Sequence, residues 1–425
     1  MRTGIIRWRI PNSRYKREGR KREMKTSRRV YLAENAVASV IFSLGTGNFI
    51  AGLLSFMGAP PATCALIGAF PQLGCVMQLI SPFLFERLRR RKGCIILCCF
   101  GFRFLLGMAG VIPLLFSGGG TGAVVPIYLV AFLMAGFVTP GLSQWIMDLA
   151  PGEKRGSFFA KRDILSSALS AGIILLMSRL LDGRIAAGKP QEGYLIVFST
   201  VAFLAIVDAL LLTRITEPRE SKTMKLMPQD LLRPFVNRRF RPIIVFIALW
   251  FFTQNLSSGF LAVYQLTVLK LDHSMIAAMA LISSALGIVM SFVWGRVADK
   301  VGFKRLMLYG CMLMAVGYMG WCFLPVSRAY LAPLVQCVTM AGSGAYGMAN
   351  LNIQYQLSPE EGKTAYLGVT AAVSNLMGYA AVLLGAQVQP LLANSFGRSG
   401  IPVLFAASAV GFGICILFSK RIADM

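Results

Sequence analysis

Residues 275–305 read MIAAMALISSALGIVMSFVWGRVADKVGFKR, and the reading of this stretch decides the fold. No charged side chain occurs from Met275 to Gly295; within the next ten residues the chain turns into a basic loop. About 20 apolar residues at 1.5 Å each cross the roughly 30 Å of a bilayer's hydrocarbon core. Arg296, Lys300, Lys304 and Arg305 then mark where such a helix meets charged headgroups. In hydrocarbon, every backbone amide must be bonded within its own helix or around a closed barrel. The run is too long and too uniformly apolar for a barrel strand, so the prediction is a membrane-spanning helix.

The same pattern recurs outward in both directions. Apolar runs occupy about 31–58, 62–85, 93–116, 123–148, 163–181, 193–213, 243–269, 275–297, 304–325, 329–357, 364–392 and 399–419. The predicted fold class is therefore an all-α polytopic membrane protein with twelve transmembrane helices. Composition agrees: 56% of the 425 residues are hydrophobic, 14% are charged, and the mean hydropathy is +0.64. A soluble chain this apolar would expose patches large enough to aggregate.

A net charge of +25 raises the question of nucleic acid, and the distribution of charge answers it. If the spans alternate, 36 of the 43 lysines and arginines fall on one side of the membrane. The other side holds Arg179, Arg184, Lys189, Lys270, Arg328 and Arg398, while Arg103 lies within a span. This asymmetry places both termini in the cytoplasm of a multi-pass protein of the cell (inner) membrane. A nucleic-acid footprint would instead gather on one soluble face with aromatics. The nine cysteines lie in or beside apolar runs and read as small buried hydrophobes. A single histidine, His273, allows no His-rich ligand cluster for a metal, and no cofactor is expected.

Five segments follow. Residues 1–29 form a basic cytoplasmic tail, disordered near anionic headgroups, unless translation starts at Met24. Residues 30–213 form a first six-helix bundle, 214–242 a cytoplasmic linker, 243–419 a second bundle and 420–425 a short tail. In the linker, Leu231, Leu232, Phe235 and Val236 share one face among arginines, which suits a short helix lying on the membrane surface. The bundles repeat one another. Pro82–Arg91, PFLFERLRRR, echoes Gly295–Arg305, GRVADKVGFKR, with Glu86 and Asp299 213 residues apart, half the chain. Pro151–Gly156, PGEKRG, echoes Pro359–Thr364, PEEGKT, at nearly the same offset. Two parallel six-helix repeats point to a transporter whose site lies between the halves.

With these motifs the chain resembles the major facilitator superfamily across residues 30–420. Gly295–Arg305 matches that family's loop signature of a glycine, an acid four residues later, and basic residues around a second glycine. The earlier copy departs from it, with Pro82, Glu86 and Arg89 at the corresponding places. The resemblance implies alternating access between two bundles. It also implies that Glu86, Arg87, Gly295, Asp299, Lys300, Gly302 and Lys304 form loops that help to close the cytoplasmic side. Physically, Asp299 can meet the positive end of a neighbouring helix, and Gly295 permits close approach.

In the family fold the first, fourth, seventh and tenth spans line a central cavity. In this chain each of them carries a small or polar stripe at helical spacing, that of the first span running through Glu34, Ala38, Ile41, Gly45, Asn48, Gly52 and Ser55. Amides facing lipid are costly, so they are expected to point inward. The candidate substrate-binding residues are Asn48, Gln144, Trp145, Gln254, Asn255, Ser343, Tyr346 and Asn350, with Asn48, Gln144, Asn255 and Asn350 facing one void. No carboxylate lies at mid-depth in these four spans; Glu34 and Asp148 sit near the cytoplasmic ends. The coupling ion, a proton or Na⁺, stays open, and an amide-and-aromatic lining favours a neutral or weakly polar solute. Gly342–Gly347 spells a dinucleotide fingerprint, but inside an apolar run it lacks the flanking strand that the motif requires.

Arg103 lies about ten residues beyond the basic loop ending at Lys92, roughly 15 Å deep. An unpaired guanidinium there costs at least about 3 kcal/mol, so a carboxylate partner is expected, Asp208 first and Asp148 second. No catalytic cluster appears at a common depth, which argues against a membrane enzyme. The expected function is secondary transport of a small solute by one chain, a monomer whose remaining partner is the lipid bilayer. The alternative is a transport-fold sensor or assembly factor.

Overall fold

A computed structural model of the chain describes residues 13–78, 80–81, 91–112, 120–149, 155–216, 232–359, 363–396 and 400–423. Among these residues there are helices and turns but no strand, giving an all-α membrane fold. Nine helices among the described residues are long and apolar enough to cross a membrane. The other three expected spans begin at residues 62, 93 and 329. The first is broken, the second carries Arg91, Lys92 and Arg103 within its 18 helical residues, and the third is rich in amides (Gln336, Asn350, Asn352, Gln354 and Gln356).

The first helix, α1 (Ser13–Gly45), already runs through residues 13–29 of the basic tail, which corrects the expectation of disorder over those residues. No proline and no β-branched run interrupts residues 13–25, and lysine, arginine and glutamate propagate a helix well. Gly47, at φ 62°, separates α1 from α2 (Asn48–Phe56). The next span divides into α3 (Pro61–Gly68) and α4 (Phe70–Gly74), each with a proline in its first turn, where the missing N–H costs no bond. There follow α5 (Arg91–Met108), α6 (Thr121–Leu149), α7 (Arg155–Ala186) and α8 (Pro190–Thr213). In the linker, α9 (Arg233–Val236) leaves Leu232, Phe235 and Val236 exposed, as a surface helix lying on lipid would.

The second half begins with α10 (Arg241–Ser258), α11 (Leu261–Val263) and a π turn at Tyr264–Val268. Then come α12 (His273–Val301), α13 (Phe303–Phe323), α14 (Ala332–Leu357), α15 (Lys363–Phe396) and α16 (Ile401–Ala423). Gly302, at φ 81°, ends α12 and begins α13. Glycine reaches that backbone state readily, which accounts for this position of the loop motif.

Helices α1 to α8 pack mainly on one another, as do α10 to α16. Phe49, Tyr128 and Phe198 fill the first core; Trp321, Phe405 and Phe412 fill the second. The halves touch where α2, α3, α4 and α7 meet α11, the π turn, α12 and α15. Most of these segments lie toward the end opposite the chain termini, here called the distal end.

Candidate functional site

The distal seam is built around His273, the chain's only histidine and the first residue of α12. Its ring stacks on Phe49 of the other half with centroids 6.1 Å apart. Asn48 Nδ2, which can only donate, lies 3.5 Å from Nδ1, so Nδ1 accepts a weak bond. In the neutral ring Nε2 then carries the hydrogen and faces the Tyr194 hydroxyl at 3.4 Å. Asp182, near the end of α7, accepts from the backbone N–H groups of His273 and Ser274 at 3.1 and 2.8 Å, and from the Ser274 hydroxyl at 2.5 Å. A carboxylate from one half thus caps a helix of the other, where the helix dipole favours it.

A second polar bridge lies deeper. Gln72 of α4 donates its amide hydrogen to Asn255 Oδ1 of α10 at 2.6 Å, and Asn255 in turn donates to the Phe251 carbonyl. The amide oxygen of Gln72 is buried and has no partner among the described residues. A buried acceptor left unmade is costly, and this one sits between the halves.

The structure spreads the expected cavity residues rather than gathering them. Asn48 is in the distal seam and Asn255 in the deeper bridge, whereas Asn350 accepts from Gln354 further along α14. The Gln144 and Asp148 side chains lie outside the described residues. Gln254 and Ser343 are half-buried, and the Gln254 carbonyl accepts from Tyr318. Two placements are corrections. Trp145 is not in a central void: it packs with Tyr31, Ile95 and Phe158 at the terminal end and donates to the Thr216 carbonyl. Tyr346 packs inside the second half, stacked on Trp250 with centroids 3.6 Å apart. A large ring gains more from a closed aromatic core than from lining an open space. Sequence spacing did not single out Gln72, Asp182 or Tyr194. Their signals, an amide beside a proline break and two polar residues near span ends, are common on any membrane helix.

Arg103 of α5 donates through one Nη1 to Glu34 Oε1 at 3.1 Å and to Asp208 Oδ2. All three side chains are buried, joining α1, α5 and α8 inside the first half. Asp208 was the expected partner; Glu34, which the sequence placed on the cavity stripe, is a second one.

Among the loop residues, Glu86 and Arg87 lie outside the described residues. Asp299 and Lys300 are exposed at the end of α12, and Lys304 is half-buried at the start of α13. A side chain built on Gly295 would meet open space, which corrects the expectation of close helix approach there.

Comparisons with known proteins place this arrangement. A Staphylococcus haemolyticus protein, whose name assigns it provisionally to proline/betaine transport, is 27% identical over 197 residues. That match covers 43% of this chain and only 42% of the relative's length. Among solved structures, the POT family transporter PepTSo aligns with a TM-score of 0.72 at 12% identity, over 94% of this chain and 99% of its own. A D-xylose–proton symporter aligns at 0.70 and 15% identity, over 92% and 97%. A bacterial homologue of the human lysosomal transporter Spinster, inward-facing and unoccupied, aligns at 0.68 and 14% identity, over 95% and 97%. At such identities these likenesses show the fold. The family profile spans residues 36–386, so the chain belongs to the Major Facilitator Superfamily.

Proposed function

We propose that the protein is a secondary transporter that moves a small solute by alternating access, in the state closed at the distal end. The observation that carries this reading is the polar seam. The halves meet through Asp182, His273, Asn48 and the Gln72–Asn255 pair, groups that water could replace as the seam opens. A permanent junction would be more apolar. Asn255, Gln72 and Asn350 are proposed to line the transport path, with Gln254 and Ser343 beside them. The gating loops at Glu86–Arg87 and Gly295–Lys304 are proposed to meet at the terminal end when the distal end opens. The substrates named for the relatives differ from one another, and none is carried over.

The test is solute flux in proteoliposomes, guided by a ligand-stabilisation screen across pH and with Na⁺. Saturable uptake or efflux supports transport; specific ligand binding without flux supports a sensor instead. Asn350→Leu is expected to lower flux about tenfold, the worth of one good hydrogen bond to the solute, with little loss of protein abundance. Loss of abundance in step with flux would assign Asn350 a packing role.

Orientation has its own check. In a cysteine-free background, a cysteine introduced at Gly119 should react with an impermeant thiol reagent added outside, and one at Lys222 should not. The reverse labelling would invert the topology, with both termini outside.

A further inference from the structure

The segment between the π turn and α12 holds two charges that the seam does not use. Lys270 is exposed at φ 53°, and it is the one non-glycine residue with positive φ among the described residues. L side chains avoid that state and glycine adopts it freely, so the lysine is kept against local preference. Backbone outliers of this kind gather where a side chain has a task. Two residues on, Asp272 is exposed at the start of α12. Neither residue forms an ion pair among the described residues, with the other or with any third group.

Both line one cavity of about 580 Å³ at the distal seam. Its wall includes the stacked rings of Phe56 and Tyr194, 5.7 Å apart, with His273 set edge-on to Tyr194 at 6.2 Å. Asp182 also reaches the cavity, but its oxygens are occupied by the cap of α12. The unspent chemistry is therefore one ammonium, one carboxylate and an aromatic face.

We propose that this cavity binds a small zwitterion, a solute carrying an ammonium and a carboxylate a few bonds apart. Its carboxylate pairs with Lys270 and its ammonium with Asp272 and the aromatic faces. A simple cation would meet Lys270 unpaired, and a simple anion would meet Asp272. The site is separate from the Gln72–Asn255 path. Its walls come from both halves, with Phe56, Asp182 and Tyr194 facing Lys270, Asp272 and His273. Occupancy therefore holds the distal end closed, because a ligand stabilises the arrangement it binds best.

The experiment is thermal melting of the purified full-length protein in detergent, which reads binding whether or not the chain transports. The probes are β-alanine and its N-trimethylated form, with propionate and propylammonium as half-ligands. The zwitterions are expected to raise Tm saturably, and the half-ligands at equal concentration to raise it much less. Lys270→Gln and Asp272→Asn should each weaken the apparent affinity about tenfold, the loss of one charge-assisted bond. Lys270→Gly removes the charge and also the backbone conflict. It should keep or raise the ligand-free Tm while losing the ligand shift, which separates lost binding from lost folding. No shift with either zwitterion, or an undiminished shift in all three variants, overturns the proposal. So does a shift that disappears in Asn350→Leu but survives in Lys270→Gln, because the ligand then sits on the transport path. A shift produced by phosphatidylethanolamine and by no soluble zwitterion overturns the assignment to a free solute and gives the site to a lipid headgroup.

Discussion

Arg103→Met is expected to abolish most folded protein, and adding Glu34→Gln and Asp208→Asn to it is expected to bring the protein back. Arg103 is the bridge between two carboxylates, and the side chains of Glu34 and Asp208 are 2% and 0% exposed. Removing the guanidinium leaves two like charges close together in a medium that screens them poorly. Breaking a buried pair in this way costs about 3–5 kcal/mol, comparable to the whole stability of many domains. Neutralising all three positions leaves polar but uncharged side chains of similar size, a change that buried ion clusters commonly tolerate. The measurement is the monodisperse fraction of a fluorescent fusion after detergent extraction. The exchange Arg103→Asp with Asp208→Arg keeps the charges but sets an acid beside Glu34, so only partial rescue is expected. A triple variant as poorly folded as Arg103→Met would show that the three side chains hold the bundle by shape rather than by charge.

This triad also shows what a sequence can disclose. The depth of Arg103 follows from counting residues along one helix, and its cost in lipid demands a partner. Asp208 is the first candidate because it is a carboxylate within another span of the same half. Glu34 was read as a cavity residue because its stripe on α1 is continuous with small and polar positions, and the rotation of α1 against α5 is not written in its own periodicity. The spans themselves were legible for the same one-dimensional reason, since hydrocarbon thickness fixes their length. The breaks at Gly47 and before Pro61 and Pro71 follow from local chemistry. The seam did not. His273 and Asp182 lie 91 residues apart, and each alone is an ordinary polar group at a span end. Trp145 and Tyr346 misled for a related reason: aromatics at helical spacing serve a core as readily as a cavity, and only the neighbours on other helices decide between them.

Gly136→Val is the second change expected to have a large effect, and it acts through backbone rather than charge. Helices α4 and α6 cross so closely that a Cβ built on Gly136 would land on the carbonyl of Gly74, while one on Gly74 would land on the carbonyl of Phe132. Side chains can turn away from a clash, but a peptide group cannot, so the helices would have to part. Overpacking a well-filled contact costs about 1–3 kcal/mol, and this case belongs at the upper end because nothing nearby can yield. Small residues at such crossings are how membrane helices gain dispersion energy when lipid removes the hydrophobic drive. Gly122→Val and Gly172→Val provide the comparison, since a Cβ at either position meets nothing within 4 Å. Gly136→Val should lower the melting temperature well below that of both controls. The consequence reaches the proposed transport path, because α4 carries Gln72 and also packs on α15 of the other half. Pushing α4 away from α6 moves Gln72 relative to Asn255, so flux should fall further than the lost folded fraction explains. Melting equal to that of Gly122→Val would mean that α4 and α6 do not hold this backbone contact in the membrane, and the position of Gln72 would then need another support.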